Sequence, residues 1–529
     1  MAADGTAGET PHIALPRDYN AAVDLVERHL AAGRGAKTAY IDDRGSLTFA
    51  ELAERVDRAA NAYRRLGIEQ EERILLLLLD TVDFPVAFLG AIKAGIVPVP
   101  VNTLLTANDY DYMLRDSRAR ALVVSDALYD RIAPVLAKQP ALRHVIVSGG
   151  EGVSGRLAFA QLLAEAEPRA KAAATTVDDP CFWLYSSGST GAPKGAVHLQ
   201  SHLILTAELY AKPVLGIAES DTVYSAAKLF FAYGLGNALT FPLSVGATTI
   251  LYAERPTPAS VARILKDKRP SIFYGVPTLY AAMLASPDLP RREDVAMRVC
   301  ASAGEALPED IGRRWTERFG VEILDGLGST EMLHIFVSNR PGRVRYGSSG
   351  VPVPGYQVRL VAEDGGEAPI GEIGELHVSG PTSAALYWNN RERSRTTFLG
   401  PWTRSGDKYI RDADGYYTYC GRSDDMLKVG GIYVSPFEVE AALMTHEAVL
   451  EAAVVGHEDE QHLVKPRAFV VLRPGQTGSP ALAAALQQHV KAKLAPYKYP
   501  RWIEFIAELP KTATGKTQRF KLRDWDGMK

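Results

Sequence analysis

Apolar positions recur along this chain in two rhythms. Residues 20–32 carry them at helical spacing, and Leu47-Thr48-Phe49 with Leu52 lead into a second helix through Ala59, Ala60 and Tyr63. Between residues 73 and 79 polarity almost disappears, which predicts a strand buried on both faces, as in parallel sheets. Residues 84–93 return to a helical pattern closed by Gly95, and 97–101 form a short strand end. Further strands are predicted at 121–125, 144–148, 181–185, 271–274 and from Val299. Strands alternating with helices imply an α/β chain of layered parallel and mixed sheets. Segment 165–179, rich in Ala, Glu and Lys, reads as a connector.

The last hundred residues change character. Ser435-Pro436-Phe437-Glu438 has the form of a capping box with proline at the first helical position. Strands at 452–455 and 468–472, a helix at 482–494 and a strand at 502–506 follow. They predict a small α+β unit, typical of a domain of about a hundred residues. The expected organisation is a large N-terminal domain, 1–422, with sheets, helices and a β-subdomain, and a small mobile domain, 423–529.

Composition narrows the class. A length of 529 residues exceeds one compact core. Apolar residues make up 47% and charged ones 23%, an ordinary globular balance, and a net charge of −3 argues against a nucleic-acid binder. Cys181, Cys300 and Cys420 lie too far apart for metal or disulfide spacing, as in a reducing cytoplasm. The apolar run 74–79 is too short to span a bilayer, and the first eleven residues lack an apolar signal core, so no membrane role is expected.

The densest chemistry follows the apolar run at 181–185. From Ser186 to Gly195 the chain reads Ser186-Ser187-Gly188-Ser189-Thr190-Gly191-Ala192-Pro193-Lys194-Gly195, with four hydroxyls, three glycines and one lysine. Glycine lets backbone N–H groups approach an anion, the hydroxyls donate hydrogen bonds, and lysine adds a point charge. This is a phosphate cradle, expected between a strand and a helix. It is not a Walker loop, because Pro193 stands where that pattern requires glycine. Two other possibilities fail on spacing. Asp412 cannot open an EF-hand, since Tyr417 and Ser423 occupy the glycine and glutamate places, so 412–415 is expected to be a hairpin turn. His457-Glu458 and His462 are one residue too far apart for a zincin pair.

The loop, with Tyr185 before it, resembles the signature of the adenylate-forming enzymes: acyl- and aryl-CoA ligases, peptide-synthetase adenylation domains and firefly-type luciferases. Other segments resemble the family's motifs in the family's order. Gly304-Glu305-Ala306 resembles its adenine-carrying turn. The run Asp325 to Glu331 resembles its "YGxTE" motif, with Leu327 in place of tyrosine. There Asp325 and Gly326 would line the nucleotide site, Thr330 would offer a hydroxyl to phosphate, and Glu331 an oxygen to Mg²⁺. Asp407, in Ser405-Gly406-Asp407, would grip the ribose from a strand end. Arg422 would contact ribose or phosphate, and Asp424 would be the interdomain hinge. Lys428, Gly430 and Gly431 would line the route of coenzyme A. Lys516, in the tail loop, would be catalytic.

The resemblance implies two half-reactions. A carboxylate attacks the α-phosphate of ATP, giving an acyl-adenylate and pyrophosphate, and the coenzyme A thiol then displaces AMP. The acid site is expected at Phe231-Ala232-Tyr233-Gly234. It lacks the aspartate that amino-acid-activating members keep there. Ala232, Ala303 and Gly328 are small and leave a flat slot that Tyr233, His334 and Ile335 would close. Such a slot suits a benzene ring, as in the ligases of bacterial aromatic-acid degradation, with benzoate the expected acid. Ring substituents stay open, with His334 facing either solvent or such a substituent. A substituted aryl acid or a medium-chain fatty acid is the alternative substrate. A luciferase-like oxygenase and a non-catalytic homologue are the alternatives of another class. The partners implied are small molecules only, with the chain a monomer or homodimer.

Overall fold

The computed structural model describes residues 13–150, 155–186, 192–422, 425–429, 432–460, 463–511, 517–523 and 525. Lys516, Asp424, Gly430, Gly431 and residues 187–191 of the phosphate loop lie outside these, as does His462.

Two sheets carry the N-terminal half. One has five parallel strands in the order Val97–Pro100, Arg73–Leu77, Ala121–Ser125, His144–Ser148, Leu157–Ala158. Its strands are buried on both faces, which explains their unbroken apolar sequence. Leu75, Leu77, Leu122 and Val124 pack on one side with Tyr110, Met113 and Ile132. Ile74, Leu76 and Val123 pack on the other with Leu25, Val56, Phe84 and Phe88 from three helices. These helices, Ala21–Ala31, Phe49–Arg65 and Asp83–Lys93, match the periodicity of the sequence to within two residues. A reciprocal Thr48–Glu51 cap starts the second.

The other sheet has nine strands. Its parallel centre runs through Ile323–Gly328, Val299–Ala303, Ile272–Gly275, Thr222–Ser225, Thr248–Ile250 and Thr38–Asp42, with antiparallel strands at each edge. Val223, Tyr274, Ala301 and Leu324 share the core of the first sheet's helices. Tyr224, Phe273, Cys300 and Ile323 face away, against Val261, Tyr280, Trp315 and Phe319. Alternation of side chains along each strand therefore produces five layers: helices, sheet, helices, sheet, helices.

A small antiparallel sheet joins Pro180–Ser186, Lys194–Leu199 and Leu386–Tyr387. Here the structure corrects the expected strand–loop–helix. Residues 194–199 form a strand paired with 180–186, with Ser186 opposite Lys194, and the helix begins only at His202. Gly195-Ala196-Val197 is short and apolar, a pattern that serves a buried strand as well as a helix start.

An antiparallel sheet is built from Gln357–Val361, Ile373–Ser379, Phe398–Leu399, Trp402–Arg411 and Tyr417–Arg422. Residues 412–415 make the expected hairpin turn, with Gly415 at positive φ. Asp407 lies in the middle of Trp402–Arg411, opposite Arg422, and not at a strand end as expected. Gly406 has φ +76°, which breaks the regular pleat just before it.

Beyond residue 425, strands Val449–Glu458, Val464–Leu472 and Trp502–Phe505 form one sheet. Val439, Leu443, Val454, Val470, Leu486 and Val490 make its core with helices Pro436–Met444 and Pro480–Lys493. Ser435 caps the first of these helices by accepting from Glu438 N at 3.3 Å. The reciprocal half of the expected box is not made. The Glu438 carboxylate accepts from Lys498 instead, at 2.7 and 2.6 Å.

Candidate active site

Ser186 and Lys194 end the two strands that flank the phosphate loop, so the small sheet fixes both ends of it. Tyr112 donates to Pro193 O at 3.0 Å, Tyr185 to Asp116 at 2.7 Å, and Trp388 Nε1 to Asp116 O at 2.9 Å. These bonds tie the hairpin to the helix Ala107–Ser117. Burial lowers the pKa of the Lys194 ammonium, Glu331 opposes that shift, and Arg393 and Arg422 add to it. Lys194 Nζ stands 4.9 Å from the ring centre of Tyr387.

The Thr330–Glu331 turn faces these groups, and each of its carbonyls is held. Thr330 O accepts from His198 Nε2 at 2.8 Å, Glu331 O from Ala384 N at 2.7 Å, and Met332 O from Thr382 at 2.8 Å. Ser329 accepts from Met332 N at 3.2 Å, so it caps a turn and no helix follows. On the side chain, Glu331 Oε1 accepts from Tyr387 at 2.7 Å and from Ser186 at 3.3 Å. His198 is fully buried, which pushes its pKa down to about 4. Its Nδ1 lies 3.0 Å from His202 Nδ1. Facing a carbonyl, His198 Nε2 must carry the proton, which leaves its Nδ1 an acceptor. Tyr387 and His198 carry no motif of their own. Only the pairing of Leu386–Tyr387 with Lys194–Leu199 brings the tyrosine to Glu331.

Asp407 and Arg422 meet across their hairpin at 3.1 Å. Ser405 orients this pair, donating to Leu376 O at 2.7 Å and accepting from Asp407 N at 3.1 Å. Gly304 turns at φ +96° directly after Val299–Ala303. Asp325 is buried in the next strand, which raises its carboxyl well above the usual range, and Leu307 N donates to it at 3.5 Å. Gly326 and Gly328 pack against Ile335 and the His334 backbone, where any Cβ would come within 2.8 Å of another atom.

The expected acid-site residues lie along one edge of this arrangement. Ala303 and Gly328 end neighbouring parallel strands, and Ala232 opens the helix Ala232–Leu235. This helix continues as a π-helical turn, Gly236–Thr240, a widened geometry frequent at functional sites. His334 is buried, which excludes the solvent-facing alternative. Its ring contacts Tyr210, Tyr233 and Phe241 at centroid distances of 5.4, 5.5 and 4.5 Å. Its Nε2 donates to Asn237 Oδ1 at 3.2 Å and Tyr233 O at 3.3 Å, while the buried Nδ1 has no partner among the described residues. Burial pushes this imidazole down to about 3, so it is neutral. Asn237, absent from the sequence-based set, fixes the ring's orientation.

Asp80 holds the backbone at Leu229, two residues before Phe231. It is 4% exposed, and both its oxygens lie within 3.3 Å of Leu229 N. Burial pushes its carboxyl up from 3.8 to about 6, although Lys228 opposes the shift. A folded pKa above the unfolded one contributes stability that is complete below pH 3.8 and is lost as pH rises through about 6. Relative to Asp80→Asn, which keeps an oxygen for Leu229 N, the wild type should lose about 2.5 kcal/mol between pH 4 and pH 8. Chemical unfolding of both proteins across that range measures it. A constant difference between them would mean that Asp80 has the same pKa in the folded and unfolded chains.

Residues 27–388 match the family described as AMP-binding enzyme, and residues 438–516 match AMP-binding enzyme C-terminal domain. The chain is 63% identical over 515 residues to a benzoate–CoA ligase of Thauera aromatica, covering 97% of each. It is 52% identical over 514 residues to a 4-hydroxybenzoate–CoA/benzoate–CoA ligase of Rhodopseudomonas palustris, covering 96% of this chain and 94% of that one. Its fold superposes on the crystal structure of a benzoate CoA ligase from Burkholderia xenovorans LB400 with a TM-score of 0.90 and 59% identity, over 96% of this chain and 100% of the other. Among the described residues no helix is long and apolar enough to cross a membrane. With both family segments in place on this fold, the chain belongs to the AMP-binding enzymes, the adenylate-forming ligases.

Proposed function

We propose that this enzyme converts benzoate, ATP and coenzyme A to benzoyl-CoA, AMP and pyrophosphate. The observation that carries the choice of acid is the wall of Ala232, Tyr233, Ala303, Gly328, His334 and Ile335. It holds no charged side chain, and its one ionisable imidazole is buried and neutral. A ring with no polar substituent brings no group that such a wall would leave unpaired. The relatives named for benzoate support the reading. A second acid, 4-hydroxybenzoate, is favoured by the buried lone pair on His334 Nδ1, which would accept from a ring hydroxyl.

The obstacle to adenylation is repulsion between two anions. Lys194 and Lys516 would neutralise phosphate and carboxylate charge. Ser186, Ser187, Gly188, Ser189, Thr190 and Gly191 would hold the leaving phosphates, and Thr330 would add a hydroxyl. Asp407 and Arg422 would grip the ribose, and Gly304, Glu305, Ala306, Asp325 and Gly326 would enclose the adenine. Among the described residues there is no group of three or more metal-ligating side chains. Glu331 offers one carboxylate whose Oε2 has no hydrogen bond to a described residue. One carboxylate completed by water and phosphates fits Mg²⁺, which would supply charge neutralisation when bound with ATP. Residues 1–422 would form the nucleotide and acid domain. Residues 423–529 would turn about Asp424 to present Lys516 first and the coenzyme A route at Lys428, Gly430 and Gly431 second. Free, buried cysteines suit a cytoplasmic setting.

The test is pyrophosphate release over benzoate, 4-hydroxybenzoate, hexanoate and octanoate, with and without coenzyme A. Benzoate should exceed hexanoate at least tenfold in kcat/KM, about 1.4 kcal/mol of differential transition-state binding. Preference for either alkyl acid would overturn the flat-slot reading.

A further inference from the structure

Lys194 and Glu331 carry opposite charges on facing elements, close enough for the carboxylate to act on the ammonium, yet they form no direct ion pair. Tyr387 is in contact with both. Its ring centre lies 4.9 Å from Lys194 Nζ, and its hydroxyl donates to Glu331 Oε1 at 2.7 Å. The ring is itself well held. Tyr387 pairs with Ala196 across the small sheet, is 3% exposed, and packs on Ala196, Ala384 and Phe398. A collapsed Lys194–Glu331 pair would have to be broken before phosphate reached one partner and metal the other.

We infer that Tyr387 is a positioning residue for adenylation, which keeps Lys194 and Glu331 apart and fixes one oxygen of Glu331 so that the other remains open. The hydroxyl engages Oε1 together with Ser186, and no described residue bonds Oε2. The ring face offers the ammonium a weak cation–π site, so Lys194 is supported without being neutralised. The inference rests on Glu331 being the Mg²⁺-binding carboxylate. Tyr387 has no part in the thioester step, because the charged groups it contacts are those assigned to phosphate and metal.

The test uses full-length Tyr387→Phe, Glu331→Gln and the double variant. Tyr387→Phe keeps the packed ring and removes one hydroxyl, so an unchanged unfolding temperature is expected. Calorimetry gives the Kd of α,β-methylene-ATP with Mg²⁺ and with EDTA. Adenylation is read as benzoate-dependent pyrophosphate release, and thioester formation from supplied benzoyl-adenylate and coenzyme A. Tyr387→Phe should weaken Mg²⁺-dependent analogue binding and slow adenylation by about tenfold, the scale of one hydrogen bond to a charged group. Analogue binding in EDTA and thioester formation should stay at wild-type values. On the Glu331→Gln background, Tyr387→Phe should cost nothing further. Wild-type Mg²⁺-dependent binding in Tyr387→Phe, an equal loss in EDTA, or an additive loss in the double variant would each overturn the role of Tyr387. Glu331→Gln separates this from its premise: if that variant alone keeps wild-type Mg²⁺ dependence, the metal assignment fails. If it loses that dependence while Tyr387→Phe does not, only the positioning role fails.

Discussion

Lys516→Ala is expected to lose benzoate adenylation by several orders of magnitude while still joining supplied benzoyl-adenylate to coenzyme A. The charge that Lys516 is proposed to neutralise exists chiefly while carboxylate and α-phosphate approach each other, and electrostatic stabilisation of such charge is usually the largest catalytic contribution. Once the adenylate exists, the carboxylate charge is gone. Gly430→Leu should show the reverse, keeping adenylation and losing thioester formation, because its side chain would obstruct the proposed thiol route. Separate assays of the two half-reactions decide the matter. Equal slowing of both halves in both variants, with the fold intact by circular dichroism, would remove the division of labour and the domain rotation that goes with it.

Gly236→Ala is expected to cost roughly 10- to 100-fold in kcat/KM for benzoate, the range of core overpacking. A Cβ at Gly236 would stand 2.3 Å from Cδ2 and 2.7 Å from Nε2 of His334, and 3.0 Å from Phe241 Cζ. Alanine favours the helix by about 1 kcal/mol over glycine. That gain does not relieve the contact, because the imidazole is wedged between three aromatic rings and bonded to Asn237. The helix therefore persists and the ring shifts. Affinity for an ATP analogue should be unchanged. Benzoate kinetics and calorimetry measure the two, and a wild-type benzoate constant would place His334 outside the acid wall.

Much of this architecture was legible in the order of residues. The parallel strands Ala121–Ser125 and His144–Ser148 carry continuous apolar runs, and their bounds agree with expectation residue for residue. Asp407, expected to grip the ribose, and Arg422, expected at ribose or phosphate, lie fifteen residues apart and meet across one hairpin. What was not legible depends on pairing between distant segments. Nothing near Lys194–Leu199 announces that Leu386–Tyr387 will pair with it, and without that pairing the strand reads equally as a helix start. Likewise, the closeness of Gly236 to His334 arises from packing across some hundred residues of chain, which no local pattern encodes.

The small antiparallel sheet has an evolutionary consequence. Ser186, Lys194, His198 and Tyr387 all project from it toward the Thr330–Glu331 turn, whereas the proposed acid wall draws on Ala232–Leu235, Asn237 and the ends of two strands of the nine-stranded sheet. The groups assigned to the phosphates of ATP and those assigned to the acid thus sit on separate elements, joined through the short stretch from Gly328 to Ile335. Substitutions in the acid block can accumulate under selection for a new ring substituent while the phosphate block stays untouched. Divergence of acid preference within such a lineage should therefore be faster than divergence of nucleotide preference.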